Sequence, residues 1–236
     1  MSLYDLDNQT TRRIAALKAR IDTIKEHDHY FYNLPVEEIM EGAKVRVNGR
    51  VMGMYASYSY LGLVGHPRIN EAAQKAVAKW GTGTNGVRTL AGTLTLHNEL
   101  EETIANFKHT ETAITYTSGY VTNLTVISTM MGRGDYVFSD KINHASIVDG
   151  CLMSGAEFRR FRHNDMEHLE GLLKNAPADV SKLVIADSVF SMDGDIIDLP
   201  KIVALCKQYN AWLMIDEAHS VGVLGEKGTR RRRRQK

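Results

Sequence analysis

No apolar run in this 236-residue sequence approaches the roughly 18–20 residues that a bilayer-crossing helix needs, so no membrane span is expected. The opening MSLYDLDNQTTRRIAALKAR lacks the apolar core of a secretory signal, and the expected compartment is cytoplasmic. Cysteine is scarce. Cys151 and Cys206 stand alone without metal-like spacing, which excludes a disulfide scaffold and a zinc ribbon. No G-x-x-x-x-G-K-[ST] string exists, so the DEAH tetrapeptide at Asp216–His219 is not the acidic box of a P-loop helicase. An excess of basic charge is also missing once Arg230–Arg234 and Lys236 are set aside. They hold six of the 29 basic residues and leave 23 against 28 acidic ones, a net −5. A mildly acidic body is a poor general nucleic-acid binder, and a run of like charge reads as a solvated end.

What is present is an ordinary globular composition, 43% apolar and 24% charged. Ile14, Leu17, Ile21 and Ile24 recur at helical spacing and predict an amphipathic helix in the first thirty residues. In KVRVNGRVMGMY, Asn48-Gly49 sits between two alternating runs, the strongest short signal for a β-hairpin. Pro67 opens a helix running to about Lys79, because proline fits a first helical turn. The glycine-rich GTGTNGVRTLAGT precedes a further helix from about Leu96 to Phe107. From Thr112 onward a rhythm takes over: TAITY, DYVFS, EFRRF, KLVIA and AWLMID read as strands, separated by stretches with helical periodicity. LVIA and WLMI are apolar on both faces, as strands covered by helices on each side are. The pattern predicts an α/β fold with a mostly parallel sheet flanked by helices, and a ligand crevice at the strands' carboxyl ends.

Unusual polar residues recur just after those strands. Thr117-Ser118-Gly119-Tyr120 follows TAITY, and Asp140, Asn143 and His144 follow DYVFS. KLVIA leads to Asp187, Ser191, Asp193 and Gly194, and WLMI leads to Asp216, Glu217 and His219. Taken singly, each has a plain reading: Ser118 as a helix cap, His144 as a capping or packing residue, SMDGD as a turn. Asp216 is harder to explain away, since a carboxylate ending a strand of Trp, Leu, Met and Ile is costly without a cation or donors. Four clusters on one rim point to a site. A glycine at a helix start offers backbone N–H groups to a phosphate, and a strand-end carboxylate holds a cation or a protonated ring nitrogen. Together these groups suit pyridoxal phosphate. A metal site from His144, Asp216 and His219 is the weaker alternative, for these residues lack a paired-histidine motif. GTGTNG is not the dinucleotide fingerprint, so that fold is set aside.

From about Ser57 to Gly228 the sequence resembles the α-oxoamine synthases, pyridoxal-phosphate enzymes of the aspartate-aminotransferase fold (fold type I). The strings that carry the likeness are YLGL, GTGTNGVRTLAGT, HNELE, TSGY, NHASIVDG, HNDM, VFSMDGD and DEAHSVGVLGEKG. The resemblance implies an acyltransferase that condenses an amino acid with an acyl thioester, acyl-CoA or an acyl-carrier protein, usually with decarboxylation, in a homodimer. It implies a cofactor shell of Ser118, Gly119, Tyr120, His144, Asp187, Ser191, Asp216 and His219, with His144, Asp216 and His219 as the catalytic set. In that shell Gly119 and Tyr120 meet the phosphate, and His144 stacks over the pyridine ring. Asp216 pairs with the ring nitrogen, while Ser191 and His219 lie near the Schiff base and phenolic oxygen.

Two departures qualify the resemblance. Tyr58 stands where several members carry Asn, two residues before the Tyr of YLGL. The family's Schiff-base lysine, in a Ser/Thr-Lys setting beyond the DEAH segment, has no counterpart, since Lys227 and Lys236 lie in other contexts. The expected organisation is therefore an N-terminal helix and hairpin segment (1–56), a large domain incomplete at its C-terminus (57–228) and a basic tail (229–236). The chain by itself is expected to be inactive, and a non-catalytic fragment acting by dimerisation or cofactor binding is the alternative.

Overall fold

The computed structural model describes residues 8–27, 30, 32–40, 42–226 and 228; the arginine run and Lys227 lie outside them. The chain forms two compact units, Met1–Ala73 and Gln74–Lys236. In the first, α1 (Gln9–Glu26) starts at Asn8, whose side chain accepts the Thr11 N–H and so satisfies one of the free donors of the first turn. The helix is where its apolar spacing predicts, yet none of its residues is buried, and Ile14 and Leu17 stay more than half exposed. The hairpin is also in place. β1 (Glu38–Met40) adds an unanticipated third strand to β2 (Lys44–Val47) and β3 (Arg50–Gly53), giving an antiparallel β1-β2-β3 sheet. Asn48 (φ 48°) and Gly49 (φ 72°) take the left-handed conformations that a two-residue hairpin turn demands.

α2 (Pro67–Trp80) begins at its proline as expected, and α3 (Thr95–Lys108) follows the glycine-rich loop. That loop folds back on itself so tightly that a Cβ on Gly92 would sit 1.8 Å from the Gly86 carbonyl oxygen. Its Arg88 forks onto Glu101 of α3 at 2.5 and 3.2 Å. The hydrogen bond from Arg88, with further ones from Thr115, holds the Glu101 carboxyl down to about 2. Gly92 is there for close packing.

One expected strand is absent. Residues 112–116, TAITY, join no ladder among the described residues, and a strand exists only through its neighbours. The Thr115 N–H donates instead to Glu101 Oε1 (2.8 Å). The segment delivers the chain to α4 (Gly119–Met130).

The remaining strand-like runs all form. β4 (Tyr136–Asp140), α5 (Ala145–Ser154), β5 (Glu157–Phe161), α6 (Met166–Asn175), β6 (Lys182–Asp187), α7 (Leu199–Gln208) and β7 (Trp212–Asp216) alternate along the chain. The four strands form a parallel sheet of order β5-β4-β6-β7. Period-two alternation sends Phe138, Val184 and Ala186 to one face, against Leu169, Leu173, Ile202 and Leu205 of α6 and α7. Val137, Leu183 and Ile185 go to the other, against Ile127 of α4 and Ile147 and Cys151 of α5. All six residues of β6 are buried, which is why its sequence is apolar without alternation.

Gly150 sets the distance between α4 and α5. A Cβ there would lie 3.0 Å from the Asn123 carbonyl oxygen and 3.0 Å from Ile127 Cδ1. Gly150→Ala is expected to wedge the two helices apart and to lower stability by about 1–3 kcal/mol, against the usual gain from Gly-to-Ala inside a helix. Urea unfolding of the two proteins measures the difference.

Candidate active site

Parallel strands bring their carboxyl ends to one rim, and three of the four end in aspartate: Asp140 on β4, Asp187 on β6 and Asp216 on β7. Their environments differ sharply. Asp140 is fully buried but well supplied, accepting the N–H groups of Ile142 (3.0 Å) and Asn164 (2.8 Å) and facing His163 Nδ1 (3.0 Å). His163 is held on its other side by Asp195 Oδ2 (2.8 Å) and lies edge-on to Phe190. Burial by itself would lower the His163 pKa, but hydrogen bonds and charge from Asp140 and Asp195 outweigh it and raise the value. The imidazole thus stands between the two carboxylates, which together favour its protonated form.

Asp216 and Asp187 have no such partner. Asp216 accepts Asn123 Nδ2–H on Oδ2 (2.8 Å) and the Ala218 N–H on Oδ1 (2.9 Å). Asp187, 3% exposed, accepts the His144 N–H on Oδ2 (3.1 Å), while its Oδ1 is buried with no hydrogen-bond partner. The two residues are register partners on adjacent strands. Burial first, then the charge of Asp216, pushes the Asp187 carboxyl up to about 7. No lysine or arginine among the described residues pairs with either carboxylate. A bare buried carboxylate oxygen beside a second carboxylate is a costly arrangement, one that a cation or a proton-bearing ring nitrogen would relieve.

The other sequence-predicted residues gather on this edge. Ser118 caps α4, its hydroxyl accepting the Val121 N–H (3.2 Å), so the N–H groups of Gly119 and Tyr120 lie in the helix's first turn, where donors have no intrahelical acceptor. The Tyr120 hydroxyl bonds the Asp149 carboxylate, and its ring meets the His144 ring edge-on, with centroids 6.4 Å apart. His144 caps α5 with its Nδ1. Ser191 is exposed on the turn after β6, which is closed by Gly194 N–H to Phe190 carbonyl (2.8 Å) and anchored by buried Phe190. The plain turn reading of SMDGD thus holds, with Gly194 at φ 74°. His219 is half-buried in the turn after β7. Ser220 of the same turn is tied to Ser188 by a hydroxyl pair (2.7 Å), and Glu217 is bonded by Lys108.

The sequence model of the family "Aminotransferase class I and II" matches residues 54–234. The chain belongs to that family. It is 50% identical over 188 residues to 8-amino-7-oxononanoate synthase of Geobacter sulfurreducens, covering 80% of this chain and 48% of that protein. It is 43% identical over 218 residues to 8-amino-7-oxononanoate synthase 1 of Bacillus subtilis, covering 92% and 55% respectively. Among solved structures, serine palmitoyltransferase from S. paucimobilis with bound PLP-myriocin aldimine superposes with a TM-score of 0.89 at 35% identity, over 97% of this chain and 56% of that one. The chain thus spans about half the length of the curated relatives it matches. The parallel sheet flanked by helices is that of the class I and II aminotransferases.

Burial pushes both thiols, Cys151 and Cys206, up to about 12, so neither is a nucleophile at neutral pH. No cluster of three or more His, Cys, Asp or Glu side chains able to hold a metal is found among the described residues, and His144, Asp216 and His219 do not form one. Sequence reasoning missed Asn123, Ser146 and His163. Asn123 and Ser146 lie inside apolar helices, and a buried polar residue at a helical core position was the one signal that could have marked them.

Proposed function

We propose that this chain forms the pyridoxal-phosphate-holding part of an α-oxoamine synthase, with residues 57–228 as the cofactor-binding region. The observation that carries the reading is the Asp187–Asp216 pair: two adjacent strand-end carboxylates, one with a bare buried oxygen, and no cation of the protein against them among the described residues. That donor set fits a protonated pyridine nitrogen. Asp216, already oriented by Asn123 and Ala218, would face the nitrogen. The first-turn N–H groups of Gly119 and Tyr120, with Ser118 at the cap, would receive the phosphate. His144 would lie over the ring and orient the amino acid, and Ser191 and His219 would serve the phenolic oxygen. Asp187 would hold the His144 backbone beside its register partner Asp216.

Pyridoxal phosphate supplies an electron sink for a carbanion at the amino-acid α-carbon. Asp216 keeps a positive charge favourable at the far end of that sink, because a carboxylate in a partly buried site stabilises a neighbouring cation far more than water does. His144, fixed at a helix start, restricts the amino acid to one face, which lowers the entropic barrier to condensation. The reaction proposed for the whole protein joins an amino acid to an acyl thioester, acyl-CoA or an acyl-carrier protein, giving an α-amino ketone with loss of carbon dioxide. The names of the curated relatives support that class. We place the protein in the cytoplasm as a homodimer. Turnover would further need a lysine in the Ser/Thr-Lys setting that the resemblance puts beyond the DEAH segment, so the reading for these 236 residues concerns binding.

Titration of the chain with pyridoxal phosphate, followed by cofactor absorbance and intrinsic fluorescence, tests the proposal. Saturable binding that pyridoxal competes for weakly, lacking the phosphate, is the expected result. Binding indifferent to the phosphate, or none, counts against it.

A further inference from the structure

The buried polar residues between α4 and α5 form a connected set. Asn123 is 6% exposed and Ser146 fully buried, in a layer otherwise made of Ile127, Ile147 and Cys151. The two hydrogens of Asn123 Nδ2 have two acceptors: Asp216 Oδ2 at 2.8 Å and Ser146 Oγ at 3.0 Å. Charge fixes the amide's orientation, since a flipped carboxamide would set its oxygen against the Asp216 carboxylate. Ser146 Oγ, having accepted from Asn123, lies 2.7 Å from His144 Nδ1, and the Ser146 N–H donates to the same nitrogen at 3.2 Å. A nitrogen that accepts two hydrogen bonds carries no proton, so the neutral ring bears its hydrogen on Nε2.

From this chain of contacts we infer that Asn123 is a positioning residue that sets Asp216 and His144 at once. Through its carboxamide the carboxylate proposed for the ring nitrogen is aimed, and through Ser146 the imidazole proposed for the ring face is held in a single tautomer. The inference deepens the cofactor reading above and rests on it for its functional consequence. It assigns to two residues inside apolar helices a part in the site that no strand-end pattern reveals. A merely structural Asn123 would fill space; a positioning Asn123 must donate.

Those two roles predict opposite orders of damage. Asn123→Asp keeps the shape but replaces the donor by an acceptor facing Asp216, whereas Asn123→Ala loses volume and removes the clash of charge. In the full chain, Asn123→Ala is expected to weaken pyridoxal-phosphate binding about tenfold, and Asn123→Asp to weaken it more. Ser146→Ala should act in the same direction, and the double variant with Asn123→Ala should cost less than the product of the two. A second readout needs no cofactor. With 15N-labelled histidine, long-range 1H–15N spectra of the unaltered chain should show His144 with its hydrogen on Nε2, and Ser146→Ala and Asn123→Asp should move population to Nδ1–H. Unchanged His144 spectra in both variants, or Asn123→Asp binding better than Asn123→Ala, would overturn the inference. Tautomer shifts in a chain that does not bind the cofactor would support the positioning chain and contradict the cofactor reading alone.

Discussion

Asp216→Asn is expected to weaken pyridoxal-phosphate binding by about 2 kcal/mol or more, roughly 30-fold, while leaving the fold intact. Size is nearly unchanged, and an Asn carbonyl can still accept the Ala218 N–H that Asp216 Oδ1 now accepts at 2.9 Å. What disappears is the negative charge at the rim, together with the acceptor that Oδ2 offers to Asn123 Nδ2 at 2.8 Å. In a partly buried position, the cost of deleting one member of a charge pair exceeds that of deleting an exposed one, because water cannot replace it. The same substitution has a second, independent consequence. Asp216 is one of the causes that hold the Asp187 carboxyl up near 7, after burial. In Asp216→Asn that carboxyl should therefore titrate lower, and a pH titration by carboxyl 13C NMR measures the drop. A variant whose cofactor affinity equals that of the parent would remove the electrostatic basis of the site.

Asp187→Asn should stabilise the free chain, and only at the upper end of the pH range. Asp187 has its folded pKa raised to about 7 from an ordinary 3.8. Between those values the unfolded chain has lost this proton and the folded chain still holds it, so stability falls as pH rises and levels off above about 7. The loss attributable to this group reaches about 4 kcal/mol, because each pH unit separating the folded from the unfolded value contributes ~1.4 kcal/mol. Asparagine does not titrate. It can accept the His144 N–H as Asp187 Oδ2 does, and it puts an uncharged NH2 in place of the bare Oδ1. Urea unfolding at pH 8 should show the variant more stable by about 2–4 kcal/mol, with the two proteins converging near pH 4. Equal stability at both pH values would mean that the buried oxygen carries no strain of charge. A native residue that lowers stability at neutral pH is understandable where a ligand is to bring the compensating charge.

Much of this was legible in the sequence, for identifiable reasons. KLVIA is apolar on both faces because β6 is buried throughout; WLMI also marked a strand, but β7 lies at the sheet's edge, half-buried with Trp212 exposed. Asn48-Gly49 announced the hairpin because few other residue pairs tolerate two consecutive left-handed conformations. Asp216 was conspicuous because the strand around it is otherwise apolar. TAITY misled because local composition reports a willingness to be extended and says nothing about whether a neighbouring strand is there to pair with. α1 shows the same gap from the other side: periodicity predicted the helix, but a stripe of apolar residues does not say what will cover it. Asn123, Ser146 and His163 were hidden for a different reason. Their importance comes from neighbours 93, 23 and 32 residues away in sequence, and that information resides in the tertiary fold.

If the strand-end carboxylate of Asp216 holds a positively charged ring nitrogen, 15N NMR of the chain with pyridoxal phosphate labelled at that nitrogen will show it. The expected result is a pyridinium shift that persists well above the pH at which the free cofactor loses its ring proton, and that reverts in Asp216→Asn. A bound cofactor whose nitrogen shows the neutral pyridine shift at pH 8, unchanged by the substitution, would contradict it.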